Sequence, residues 1–542
     1  MKSFWKLGLL VTSFGLAACT AMPPTRPVAW AAPEVLVAPS SFHGVHGLAV
    51  DAKGRLLAGT VVGSSMWEVD RITGATKVFI AAPEGEADDI AIGPNGEMAW
   101  TSYLQGIVRY RENDTAPIRI LAQDLPGINS LAFDQKNGKL YASQVFLGDA
   151  MHEIDVAGVK PPRLIAKDIG GFNGFEVGPD GMIYGPIWFK GQVAKMNPAD
   201  GAITVINSEF KIPAAANLDG KGNLWAVDTN TGELSKVDLA TGRKTVMQKL
   251  NPAIDNLAIA PDGMIYVSNM ADNSVQSYNP ASGDVRLLTG GKLSVPGGIK
   301  LDGDTLWVTD LFAFREVNVK SGVVKDVFRM QSSDLEYPFS VGLSAKQFAL
   351  SSWFTGSVQV VDRATRKTTA VIHGLKAPMD ALFLNDGSLV FAEIATGEIT
   401  RASGADFKER TVVAKGLAGP VQMILGKDGA LYVTEAAGNL TRINLTDGSK
   451  TVVADKLVLP EGVAQTPWGT FIVAEAAARR LVEINVADGS RRIVAENLPI
   501  GLEAGPGLPP PNVPTGVAVG TDGVIYMSAD RNNAIYKIKP QR

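Results

Sequence analysis

The stretch IDNLAIAPDGMIYVSN (residues 254–269) decides the fold. It begins as a short alternating strand, turns at Pro261-Asp262-Gly263, and continues as a second apolar strand. That is a hairpin signature, because the glycine supplies the positive φ that such turns need. Further copies are FNGFEVGPDGMIYG (172–185), ADDIAIGPNGEMAW (87–100) and PTGVAVGTDGVIYMS (514–528). A third strand follows each hairpin, then a second turn, as in NPADGAITVI (197–206), DLATGRKTVM (238–247), NPASGDVRLL (279–288), NLTDGSKTVV (444–453) and NVADGSRRIV (485–494). A fourth strand follows that turn. Four strands per unit make a propeller blade.

The residue two before the apolar core of each first strand marks the period. It falls at His46, Asp88, Asn129, Asn173, Ala214, Asp255, Gly297, Phe339, Asp380, Val421, Glu461 and Thr515. Successive markers are 40 to 44 residues apart, except the last pair at 54, where GLEAGPGLPPPNVP (501–514) is inserted. Such a period means a propeller or solenoid, and the turn density and period-2 pattern exclude helical repeats.

Twelve blades are too many for a common single ring. The expectation is an all-β chain of two tandem six-bladed β-propellers, the first over 34–283 and the second over 284–542. The C-terminus stops after a third strand, NAIYKIKP (533–540). Strand 34–39 is expected to complete the sixth blade and strand 284–289 the twelfth, leaving no unclosed ring. In the alternative, 34–39 pairs with the twelfth blade, giving interleaved rings or one large ring.

The N-terminus carries Lys2 and Lys6, an apolar run from Leu7 to Ala18, and Cys19, the only cysteine of 542 residues. No internal disulfide is possible. This is a signal peptide (1–18). Leu16-Ala17-Ala18-Cys19 resembles a bacterial lipobox, which implies cleavage before Cys19 and acylation of its thiol. Acyl chains at roughly 0.8 kcal/mol per buried CH₂ would anchor the chain to a membrane. Thr20 is not an aspartate retention signal, so the expected place is the cell envelope, on the periplasmic side of the outer membrane. Residues 19–33, rich in proline, read as a tether. The net charge is -4 and no long basic run appears, so no nucleic-acid partner is expected.

No Gly-x-Ser-x-Gly elbow, His-Glu-x-x-His, Walker loop or Cys-x-x-Cys is present. Chemistry is sought instead at the markers, which stand around the mouth of each central channel. In the first ring five of the six are polar: His46, Asp88, Asn129, Asn173 and Asp255, with Ala214 the exception. Two carboxylates and two amide carbonyls suit a hard cation such as Ca²⁺. The same residue types also bond their own backbone at ordinary strand ends, so a plain polar channel mouth gives the same pattern. A slip of one residue would present Gly47, Asp89, Ser130, Gly174, Ala215 and Asn256 instead.

Here the chain resembles the six-bladed calcium propellers of the senescence-marker-protein/gluconolactonase, paraoxonase and strictosidine-synthase-like groups, with NHL-like repeats. ADDIAIGPNG resembles their acidic strand start, GINSLAF and FNGFEVGPDG their two Asn starts, and IDNLAIAPDG the paraoxonase-type Asp-Asn start. The resemblance implies a calcium site at Asp88, Asn129, Asn173 and Asp255. It also implies a lactonase or arylesterase acting on a small-molecule ester or lactone. Asp88 stands where those groups carry Glu, and Ala214 interrupts the set. His46, with Asp255, is the candidate catalytic base, His43 a candidate assistant, and Trp188, Phe189, Phe146 and Tyr103 the candidate pocket wall. Two other expectations stand beside this one: a non-catalytic scaffold propeller with an envelope protein partner, and a lyase of the streptogramin type, which shares PDG…YV repeats.

Overall fold

The computed structural model describes residues 25–541. The signal peptide, Cys19 and the first part of the tether lie outside them. The fold is all-β and propeller-like. Among the described residues, twelve four-stranded antiparallel sheets follow one another along the chain, together with one two-stranded sheet. Numbered as blades, they span 45–80, 90–122, 128–167, 176–207, 213–249, 254–289, 299–329, 340–372, 378–414, 420–454, 460–495 and 517–538.

Local chemistry makes each blade. In the sixth, Gly263 takes φ +86° and its N–H donates to the Ala260 carbonyl at 2.8 Å, while Asp262 Oδ1 accepts from Met264 N at 3.1 Å. The second type of turn is held by an Asx acceptor: Asp238 Oδ1 accepts from Ala240 N and Thr241 N at 3.1 and 2.8 Å. Apolar residues alternating along the strands pack between the faces of adjacent blades. Phe391, fully buried, fills the space between blades 8 and 9 with Leu389, Val358 and Val360.

The first strands touch in two closed series. In one, 45–50 meets 90–92 and so on to 254–259, which returns to 45–50. In the other, 299–302 leads through five more to 517–519, which returns to 299–302. These are the first and second rings.

The expected closure is corrected. Strand Glu34–Val37 pairs with Ala534–Ile538 and completes blade 12, not blade 6. Strand Val285–Thr289 pairs with Ser274–Tyr278 and completes blade 6, not blade 12. The physical reason is hairpin adjacency. The Asn279–Gly283 turn, closed by Gly283 N on the Asn279 carbonyl at 2.8 Å, delivers 285–289 straight back onto its predecessor. In blade 12 the segment after the third strand, Pro540–Gln541, pairs with Ala29–Trp30 instead, and Glu34–Val37 takes the outer position. The first ring is thus inserted between the outermost strand of the second ring and the rest of it. Blades 1 and 6 meet without a shared sheet, joined by Arg71 Nε on Tyr266 Oη at 2.6 Å and by Arg286 on the Ile72 carbonyl.

The chain crosses between rings at residues 40–44. Asn273 Oδ1, from the first ring, accepts from Gly44 N at 3.0 Å, and Asn533 Nδ2, from the second, donates to the Ser40 carbonyl at 3.2 Å. Arg315, fully inside the seam, joins Asp310 at 2.6 Å and reaches the Ala271 carbonyl of blade 6. The end of the expected tether is also fixed. Ala29–Trp30 pairs with Pro540–Gln541, and Arg26 bonds Glu483 at 3.1 Å.

Candidate functional site

Four markers of the first ring stand where the first strand departs from regular pairing, while Asp88 and Asn173 lie just before first strands that start at Ile90 and Glu176. Register shifts fall between Val45 and Leu48, Ile128 and Ser130, Pro213 and Ala215, and Ile254 and Leu257. His46, Asn129, Ala214 and Asp255 are the residues inside these bulges. A bulge leaves a residue unpaired and re-aims its side chain, and here the channel mouth receives it. All six markers, His46, Asp88, Asn129, Asn173, Ala214 and Asp255, line one cavity of about 390 Å³. So do Ser130, Gly174 and Asn256 from the set shifted by one residue.

His46 is the centre of the polar floor. Its Nδ1 lies 3.1 Å from Asp255 Oδ2 and 3.2 Å from Asp88 Oδ1. Its Nε2 is buried, with no hydrogen-bond partner among the described residues. Burial pulls the His46 pKa down, but the hydrogen bond and charge of Asp255 and the charge of Asp88 outweigh it, so the net shift is upward. Burial pushes Asp88 well above the usual carboxylate range; His46 opposes this, and Asp255, Asp89 and Glu86 add to it. Asp89, behind the floor, accepts from Asn256 Nδ2 at 3.0 Å and is raised by burial to about 7.

The amide oxygens are engaged. Ser130 Oγ lies 2.9 Å from Asn129 Oδ1 and 2.8 Å from Asn173 Oδ1, and Gly174 N donates to Asn173 Oδ1 at 3.0 Å. The donor types of Asp88, Asn129, Asn173 and Asp255 suit calcium. Their arrangement is already taken up, with the imidazole between the two carboxylates. Among the described residues no three His, Cys, Asp or Glu side chains converge as metal ligands.

The walls contain every aromatic expected from the sequence. Tyr103, Phe146, Trp188 and Phe189 line the cavity from loops after second strands. Phe146 packs edge-on against Trp188 and Phe189 with centroids 5.2 and 5.7 Å apart. Phe146, Leu147 and Phe189 remain exposed and form an apolar rim.

His43 departs from expectation. It does not line the cavity. Its Nε2 bonds the Asp530 carbonyl at 2.8 Å inside the seam, and burial lowers its pKa to about 4. It cannot assist His46.

Sequence reasoning missed the other half of the site, which the second ring supplies. Phe312, Tyr337, Phe339, Trp353, Phe354 and Asn512 all line the same cavity. Phe312 stands edge-on to His46 at 5.6 Å and to Tyr337 at 6.2 Å. Trp353 Nε1 donates to the Asn512 carbonyl at 2.7 Å, so the Pro-rich insertion helps hold the roof. The one available signal was Phe339, an aromatic at a marker position. The second ring's own channel has no comparable floor. Asp380 is spent on Ser340, Ala381 and Met423, and Glu461 accepts from Thr515 N at 2.6 Å.

No protein-family model and no curated protein matches the chain. A solved structure titled "Streptogramin B lyase structure" matches 60% of this chain and 93% of its own, at 17% identity and a TM-score of 0.25. At that level the likeness carries no argument about chemistry.

Proposed function

We propose that the cavity between the rings is the active site of a hydrolase acting on a small, apolar ester or lactone. One observation carries this: His46 is held through Nδ1 by Asp255 and Asp88, and its buried Nε2, beside a cavity, has no partner among the described residues. That is the base-and-orienter arrangement of general-base catalysis. With Nδ1–H directed at the carboxylates, Nε2 accepts the proton of a water that attacks the carbonyl carbon. Asp255, the hydrogen-bonded partner, then stabilises the imidazolium, and His46 returns the proton to the leaving oxygen. The raised His46 pKa suits a base working near neutrality. The apolar rim and roof exclude bulk water, which strengthens each of these interactions.

The calcium reading, from the family resemblance, is kept as a second proposal because Asp88, Asn129, Asn173 and Asp255 do line one cavity. Those four residues would hold the ion, which would polarise the substrate carbonyl, and His46 would have to leave its place between the carboxylates. We also propose that acylated Cys19 anchors the chain in the cell envelope. In support, the described chain begins pinned beside Trp468, in a first-to-second-strand turn, with Trp30 and Trp468 centroids 5.9 Å apart. That is the opposite end of the blades from the cavity.

The test assays the full chain in detergent on a panel of aryl esters and lactones, with and without a chelator. His46→Gln is expected to lower kcat/KM by about 10²–10⁴ with melting unchanged. Loss of wild-type activity on chelation, restored by calcium, would favour the metal proposal. Absence of hydrolysis across the panel, or full activity in His46→Gln, would overturn the hydrolase reading.

A further inference from the structure

The cavity's composition carries information about the charge of its ligand. Its acidic groups, Asp88 and Asp255, share a single basic partner, His46. Among the described residues no Lys or Arg lines the cavity. Asp89 and Glu86, one and two residues from Asp88 in the chain, are buried with it. The site is therefore rich in acidic groups and short of basic ones. A carboxylate or phosphate ligand would find no Lys or Arg to receive it. Low-dielectric walls focus such a field on whatever enters.

The walls point the same way. Nine of the lining side chains are aromatic, drawn from both rings. Aromatic faces carry negative quadrupole charge and attract organic cations, most strongly when desolvated. Phe312 and Tyr337 form a chain of rings leading from His46, and Tyr337 continues to Phe354 at 5.3 Å. A positive nitrogen placed among these rings would also face Asp255 and Asp88. An apolar body attached to it would lie toward the rim of Phe146, Leu147 and Phe189.

We propose that the cavity selects an organic cation, an amine or quaternary ammonium joined to an aromatic or aliphatic body, over neutral and anionic molecules of the same shape. This rests on the cavity being a ligand site, as the hydrolase reading holds, but binding is measured without turnover. If the cation binds and no ester is cleaved, only the hydrolase reading fails. If esters are cleaved and charge makes no difference to binding, only the present inference fails.

The experiment titrates the full chain in detergent with benzyltrimethylammonium, its neutral isostere neopentylbenzene, and 3-phenylpropanoate. Trp188 and Trp353, both in the cavity wall, report by fluorescence. The cation is expected to bind about tenfold more tightly than the isostere, and the carboxylate more weakly than either. Asp255→Asn is expected to remove most of the cation's advantage. Should that variant fail to fold, Tyr337→Phe and Tyr337→Leu replace it: Phe keeps the preference and Leu reduces it. Equal affinity for cation and isostere, or carboxylate binding as tight as the cation's, would overturn the proposal. So would a preference unchanged in Asp255→Asn or, in its place, in Tyr337→Leu.

Discussion

His43 offers a sharp test of the seam between the rings. Its Nε2–H donates to the Asp530 carbonyl at 2.8 Å, and its Nδ1 is buried without a partner among the described residues. A second ring proton would therefore sit in the interior with nothing to accept it. Burial, its largest influence, lowers the pKa from 6.5 to about 4 against the backbone hydrogen bonds of Asp530 and Arg531, and the Arg531 charge adds a smaller push downward. The sign follows from linkage. Below about pH 6.5 the unfolded chain takes up a proton that the folded chain refuses, so stability falls with pH until the folded group titrates near 4. The slope approaches about 1.4 kcal/mol per pH unit, and between about pH 7.5 and 5 the loss from this residue is about 2 kcal/mol. Buried carboxylates act in the opposite sense. Asp89 and Glu86, raised to about 7, and Asp310 and Asp530, raised to about 6, oppose folding less as pH falls through those values. The wild-type profile alone would mix the two. His43→Gln keeps a side-chain donor for the Asp530 carbonyl and has no titration. Urea unfolding of both proteins at about pH 7.5 and 5 isolates the residue as a difference of differences. The stability of wild type relative to the variant is expected to drop by about 2 kcal/mol between the two conditions. Parallel profiles, agreeing within about 0.5 kcal/mol, would refute a neutral, buried His43 and the packed seam that enforces it.

Two further outcomes follow from the same seam. Arg315→Met leaves Asp310 buried without its ion-pair partner and is expected to cost about 3–5 kcal/mol in denaturant unfolding, with Asp310→Asn added to it recovering part of the loss. Gly44→Ala requires a side chain at φ +71° and would set a Cβ 2.2 Å from Phe312 Cε2. It is expected to destabilise by at least about 1–2 kcal/mol. Because Phe312 stands on His46, it should also weaken cation binding in the fluorescence titration above.

The blades were legible because they are local. A Pro-Asp-Gly hairpin such as 261–263 and an Asx-held turn such as 238–242 specify their pairings within about a dozen residues, whatever surrounds them. The floor of the site was legible for a related reason. His46, Asp88, Asn129, Asn173 and Asp255 occupy equivalent places in successive repeats, and a closed ring brings equivalent places to one channel mouth. The bulges that aim these side chains left no mark beyond their polarity.

Closure and the roof belong to tertiary structure. Nothing local to 34–37 distinguishes blade 6 from blade 12 as its partner. The choice falls to blade 12 because 285–289 is already bound to its own hairpin neighbour. Likewise Phe312, Tyr337, Trp353 and Phe354 read as ordinary blade packing until the second ring is set against the first. The amino-acid order by itself determined a four-stranded unit repeated twelve times and the polar set at its strand starts, since both rest on contacts between near neighbours. Only the folded chain decided which strand closes the second ring and what covers His46, since those contacts join segments hundreds of residues apart and are selected by whole surfaces that fit.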